Sequence, residues 1–182
     1  MPSPQLTDSQ VIWVIGLVAA YIKDQRDIYL RRGVPLDSIQ KGALRPFFPN
    51  STLDAIKVTV LSEEHVGNPP FYGDLIRIGF AGNSLPDFRH MAAVTFVDTV
   101  VCRQPFADRL LFHELVHVLQ YEKLGLEQFA AKYVTGFLSR GSYAAIPLEM
   151  NAYELEARFA ESPTVPFSVD AEVQLWIDAG RF

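Results

Sequence analysis

Two histidines four residues apart, His113 and His117, share with Glu114 the otherwise apolar stretch LLFHELVHVLQYEKLG, residues 110–125. The chain has four histidines in all, so half of them meet in one segment. Burying imidazoles and a carboxylate in hydrocarbon is costly unless something pairs with them. A helix supplies the reason. Residues i and i+4 leave it on one face, a turn apart, so both imidazoles can reach a single Zn²⁺ through ring nitrogens at about 2.0–2.1 Å. Glu114 projects about 100° further round. It flanks the ion instead of ligating it, and is placed to take a proton from a water that the ion activates. Zinc brings such a water to a pKa of about 7 and polarises a carbonyl. The reaction that uses this combination is hydrolysis of an amide.

A catalytic zinc takes three protein ligands and leaves a position open, so the pair needs a third. His65 and His90 precede the motif in polar, loop-like surroundings. Among the downstream carboxylates Glu149 stands out, near the start of the second helix after the motif. Glu156 on the same helix is the other candidate, one to two turns further along. Glu149, Tyr153 and Glu156 share a flank, beside a stripe of Leu148, Ala152, Leu155 and Phe159, while Glu154 and Glu161 point to solvent. For an oxyanion donor, Tyr143 between the two metal-bearing helices is the first choice, with Tyr153 behind it. The loop GNPPFYGD could border the substrate cleft.

Those side chains require particular elements. Thr7 and Gln10 have the spacing of a capping box and start a helix that runs to about Arg32, before Gly33 and Pro35. PFFPN, residues 46–50, is a turn-rich link. AIKVTVLSE, residues 55–63, alternates as a half-buried strand does, and GNPPFYGDL reads as a loop. MAAVTFVDTVVC, residues 91–102, is apolar on both faces apart from Asp98, so it reads as one covered strand, ended by RQPF. The motif helix starts near Asp108 and ends at Gly125. Residues 126–140 carry a second helical stripe closed by Gly141, and Pro147 opens a third helix. A last helix, near residues 169–179, docks through Val173 and Trp176.

Composition limits the alternatives. With 182 residues, 49% of them hydrophobic and 20% charged, the chain fits one globular domain, residues 1–182, with residues 1–33 as an N-terminal helix. A net charge of -5 without a Lys/Arg cluster offers no phosphate footprint, so nucleic acid is not an expected partner. The single cysteine, Cys102, precludes an intramolecular disulfide. The apolar run VIWVIGLVAAYI, residues 11–22, is too short to span a bilayer and lacks the basic start of a secretory signal. No stable membrane insertion and a cytoplasmic location follow as expectations. Oligomeric state has no signal.

The longer pattern HELVHVLQYEKLG followed by IPLEMNAYELEARF resembles the zincin metallopeptidases, within them the gluzincin-like group, and a bacterial set of small metallopeptidase domains. The resemblance covers about residues 91–159. It implies His113, His117 and Glu149 as metal ligands and Glu114 as general base. It also implies that the strand before the motif helix is an edge, on which an extended peptide lies antiparallel. One position departs from the pattern. Many gluzincins have an aspartate four residues after the ligand glutamate, orienting a ligand histidine; here that residue is Tyr153.

The expected fold is therefore α+β and zincin-like, a small sheet packed against several helices with the motif on a buried one. The expected function is zinc-dependent hydrolysis of peptide or protein substrates. The alternative on the same scaffold is a catalytically silent zinc-binding or protein-interaction module.

Overall fold

The capping box at the start of the chain forms as its residue types dictate. In this computed structural model, which describes residues 4–82, 84–103 and 108–182, Thr7 Oγ1 accepts from the Gln10 N–H at 3.3 Å. Gln10 Oε1 accepts from the Thr7 N–H at 2.8 Å. Helix α1, Asp8–Leu30, follows; it buries Val14, Tyr21, Ile22 and Tyr29 along one side. It stops two residues before the expected Arg32, since Arg31 and Arg32 already form a turn. A second capping box, Asp37 with Gln40, starts a short helix that the sequence reading passed over, α2, Ser38–Leu44. After the PFFPN link, which buries Phe47 and Phe48, comes another, α3, Asn50–Ala55.

The sheet has four strands in the order β1-β2-β4-β3. Strand β1, Val34–Pro35, pairs antiparallel with β2, Lys57–Val60. Strand β2 lies parallel to β4, Thr99–Cys102, with Val58 opposite Val100. The run expected as one strand is instead a hairpin. Strand β3, Ala93–Phe96, turns through Val97 and Asp98 into β4, with Val94 opposite Val101. Val97 takes a φ of 61°, which a β-branched residue rarely adopts, so its sequence gives no turn signal. The correction has a consequence for the site. Strand β4, which directly precedes the motif helix, is interior and fully buried, and the edge beside the motif is β3. Of the expected stop signal RQPF, residues 104–106 lie outside the described residues.

The GNPPFYGDL segment is a loop only in its first half. Helix α4, Tyr72–Arg77, begins inside it, with Phe71 and Leu75 buried one turn apart. Helix α5, Asp108–Arg140, contains both expected helices, joined at Gly125, whose φ of 74° and ψ of 164° break the helical path in a conformation that favours glycine. Its first arm is buried without interruption from residue 111 to residue 121. A helix apolar nearly all round belongs inside a protein, and this one is covered by the sheet, α1 and α6.

Helix α6, Pro147–Glu161, has its proline at the first turn, where the missing N–H costs nothing. The second arm of α5 passes close to that start: a Cβ added to Gly136 would lie 2.8 Å from Pro147 Cδ. Helix α7, Val169–Asp178, docks through Val173 and Trp176 as expected. Seven α-helices and a small mixed sheet make the described residues an α+β fold. None of their helices is long and apolar enough to cross a membrane.

Candidate metal centre

The i, i+4 spacing places both imidazoles on the side of α5 that faces α6. The α6 helix returns Glu149 to them from its first turn. Three atoms converge: His113 Nε2 and His117 Nε2 are 3.2 Å apart, and Glu149 Oε2 is 3.5 and 3.4 Å from them. A tetrahedron with zinc–ligand bonds of about 2.0–2.1 Å has edges of about 3.3–3.4 Å. The three donors therefore already stand at the separations one zinc requires, and this buried group could hold a metal.

Hydrogen bonds around the ring nitrogens decide what those atoms offer. Gln120 Nε2 donates to the Leu148 carbonyl and to Asn151 Oδ1, at 2.9 Å each. Its Oε1 is thereby turned to His117 Nδ1, 2.8 Å away, and can only accept. His113 Nδ1 lies 2.9 Å from Glu156 Oε2, another acceptor. Both Nδ1 atoms thus carry protons, and both Nε2 atoms present lone pairs to each other and to Glu149 Oε2. Among the described residues, that buried carboxylate oxygen has no hydrogen-bond partner. Lone pairs facing one another at these distances repel unless a cation or a proton stands among them. In the metal-free chain the proton is the answer. Burial opposes charge on His117, but the Glu149 carboxylate overrides it and raises the imidazole pKa to about 9. Glu149 is likewise driven up by burial, yet the adjacent imidazoles hold it well below the usual carboxylate range.

Glu114 leaves the same helix towards β3, where its Oε2 accepts from the Thr95 hydroxyl at 2.6 Å. Burial is the main cause that raises its pKa above the ordinary value, and His117 and His113 work against it. Both Glu114 and Glu149 also line a cavity bounded by α1, β3 and the second arm of α5.

No family model, curated protein or solved structure matches this chain.

The candidates separate by position. His113, His117, Glu114 and Glu149 come together. His65 and His90 are exposed, and His90 Nδ1 meets Asp87 Oδ2 at 2.9 Å instead. Glu156, a candidate ligand from sequence, faces the Nδ1 side of His113 and so orients the ring. It also meets Arg109 Nε on the first turn of α5. Glu156, two turns after Glu149, thus supplies the negative charge beside His113 that Tyr153 cannot. Tyr153 itself packs its half-exposed ring on His113, with centroids 4.7 Å apart.

Tyr143, in the 3₁₀ turn Tyr143–Ala145, lies beside the cavity with Glu149. Burial, then the Glu149 charge, pushes its phenol well above the usual tyrosine range. Sequence reasoning missed Tyr133, whose hydroxyl donates to Glu149 Oε1 at 3.1 Å, and Gln120 and Thr95. Only Gln120 carried a local signal, a buried amide one turn beyond His117.

Proposed function

We propose that the protein is a zinc-dependent metallopeptidase of zincin-like design, in which His113, His117 and Glu149 hold the ion and Glu114 is the general base. The observation that carries this reading is the convergence of three donor atoms at tetrahedral separations, one of them a buried carboxylate oxygen with no hydrogen-bond partner among the described residues. Two imidazoles and one carboxylate are a zinc donor set that leaves a fourth position open. When bound there, the ion supplies an activated water and Lewis-acid polarisation of a carbonyl.

The chain's own residues then divide the work. Thr95 engages Glu114 Oε2, which fixes the carboxylate and keeps its other oxygen for the proton. A carboxyl held above its ordinary pKa suits a group that must accept a proton and return it to a leaving amine. Tyr143, kept protonated, is the proposed donor to the developing oxyanion. Strand β3, which contributes Ala93, Val94 and Thr95 to the cavity wall, is the sheet edge beside the motif, and an extended peptide can add a strand along that edge. This favours a peptide or protein substrate.

The test pairs metal content with turnover on a mixed peptide pool. The wild-type chain is expected to bind one zinc, and Glu114→Gln to keep it while losing at least about a hundredfold in rate. His113→Ala is expected to lose the metal. Zinc retained in His113→Ala would sink the ligand assignment. Zinc bound with no hydrolysis of any peptide would leave a silent metal-binding module.

A further inference from the structure

The metal-bearing side chains occupy only a small part of the cavity that they line. The rest of its wall is hydrocarbon: Val14, Val18, Leu75, Phe80, Val134 and Phe137 are typical of it. Tyr21, Tyr72 and Tyr133 also contribute, yet their hydroxyls are spent elsewhere. The Tyr21 hydroxyl donates to the Gly67 carbonyl and the Tyr72 hydroxyl to the Pro86 carbonyl, at 2.8 Å each. Tyr133 donates to Glu149. These residues therefore offer ring surface and little hydrogen bonding to an occupant.

The volume is about 130 Å³. An apolar cavity of about 150 Å³ stays dry and takes up benzene, so this one is sized for a single ring or a branched aliphatic group. A charged or amide-bearing group inserted among the hydrocarbon side chains would lose its water and find few partners to replace it. Among the described residues, His117, Glu114 and Glu149 are the charged side chains that line the space.

We infer that this cavity is a preformed specificity pocket for one aromatic or branched aliphatic side chain of the substrate, held next to the bond at the metal centre. Its position relative to the scissile bond rests on the metallopeptidase reading; the pocket itself does not. Val18 on α1 and Val134 on the second arm of α5 are then specificity-determining residues, since a larger side chain at either would fill the space. Because α1 supplies part of the wall, the N-terminal helix belongs to the substrate site.

The experiment has two arms. In the first, the full chain kept in chelator is titrated with toluene and followed by methyl NMR. Saturable shifts are expected at Val18, Leu75 and Val134, and are abolished in Val18→Phe and Val134→Phe. Val18 is only partly buried, so Val18→Phe keeps the test alive should Val134→Phe fail to fold. No saturable shift in the wild type, or undiminished toluene binding in a folded Val18→Phe, would overturn the pocket.

In the second arm, the zinc-loaded chain is given peptides varied at one position at a time. Phe or Leu is expected to beat Asp or Lys at one position by about a hundredfold or more, and Val18→Phe to erase that preference. Cleavage indifferent to apolar side chains would overturn the proposal while the metal reading stood. A chain that binds toluene but no zinc would uphold the pocket and sink the metal reading.

Discussion

On one side of the first arm of α5, Phe112 is fully buried and stacks on Phe159 at 4.4 Å. Phe47 and Phe48 meet its ring edge-on, with centroids at 5.6 and 4.9 Å. The next residue, His113, faces a different world of Glu156, His117 and Glu149. Both sides are buried, but only the aromatic one gains from burial. Each polar group on the other side must find a partner, and Glu149 Oε2 has the two imidazoles facing it. The aromatic side thus offsets the cost of holding three unfriendly donors together in a dry place. Stability and the candidate metal site are assigned to neighbouring faces of one rod.

That division is most easily broken from the aromatic side. Phe112→Ala is expected to cost about 3–5 kcal/mol, read as a lowered denaturation midpoint, because a packed ring is removed from among Phe47, Phe48, Phe159 and Phe167. Zinc per chain should stay at one wherever the variant is folded. A loss of metal without loss of stability would show that the two faces are not separate functions.

On the polar side the effect should be reversed. Glu156→Gln keeps an acceptor for His113 Nδ1 but removes the negative charge beside the ring. Zinc affinity is expected to fall by roughly 10–100-fold, measured by competition with a chromophoric chelator, with little change in the metal-free denaturation midpoint. Unchanged affinity would mean that Glu156 serves only to hold Arg109 and the start of α5.

Much of this was readable from the chain because its signals are local. His113 and His117 announce a shared face through spacing alone, and Pro147 with the Leu148–Ala152–Leu155–Phe159 stripe announces the helix that carries Glu149. The role of Glu156 was not local. Whether it ligates or orients depends on which nitrogen of His113 the α6 helix passes, a matter of a few ångströms between two elements. Tyr133 and Thr95 were hidden for the same reason. The hairpin was hidden for another. Val97 and Asp98 lack the glycine or asparagine that marks a two-residue turn, so a continuous apolar pattern covered a reversal of direction. The Asp37 capping box was legible and overlooked.

The turn that the pattern concealed also yields the smallest of the expected effects. Arg26 on α1 donates twice to Asp98, through Nε and a terminal nitrogen, at 2.7 Å each. Burial works to raise the Asp98 pKa, but the guanidinium wins and holds it below the ordinary value. A carboxyl depressed in the folded state adds stability above its unfolded pKa of about 3.9, and that gain is lost as pH falls through the folded value. The side chains keep 30% and 29% exposure, so solvent screening limits the pair to about 1 kcal/mol. Arg26→Gln is therefore expected to lower the urea midpoint at pH 7 slightly, and to make no difference once the pH is below both values. A deficit that persists undiminished in acid would mean that Arg26 acts by packing and not by charge. The fixed point for the β3 edge would then be Val97 and its neighbours, with the ion pair a bystander on α1.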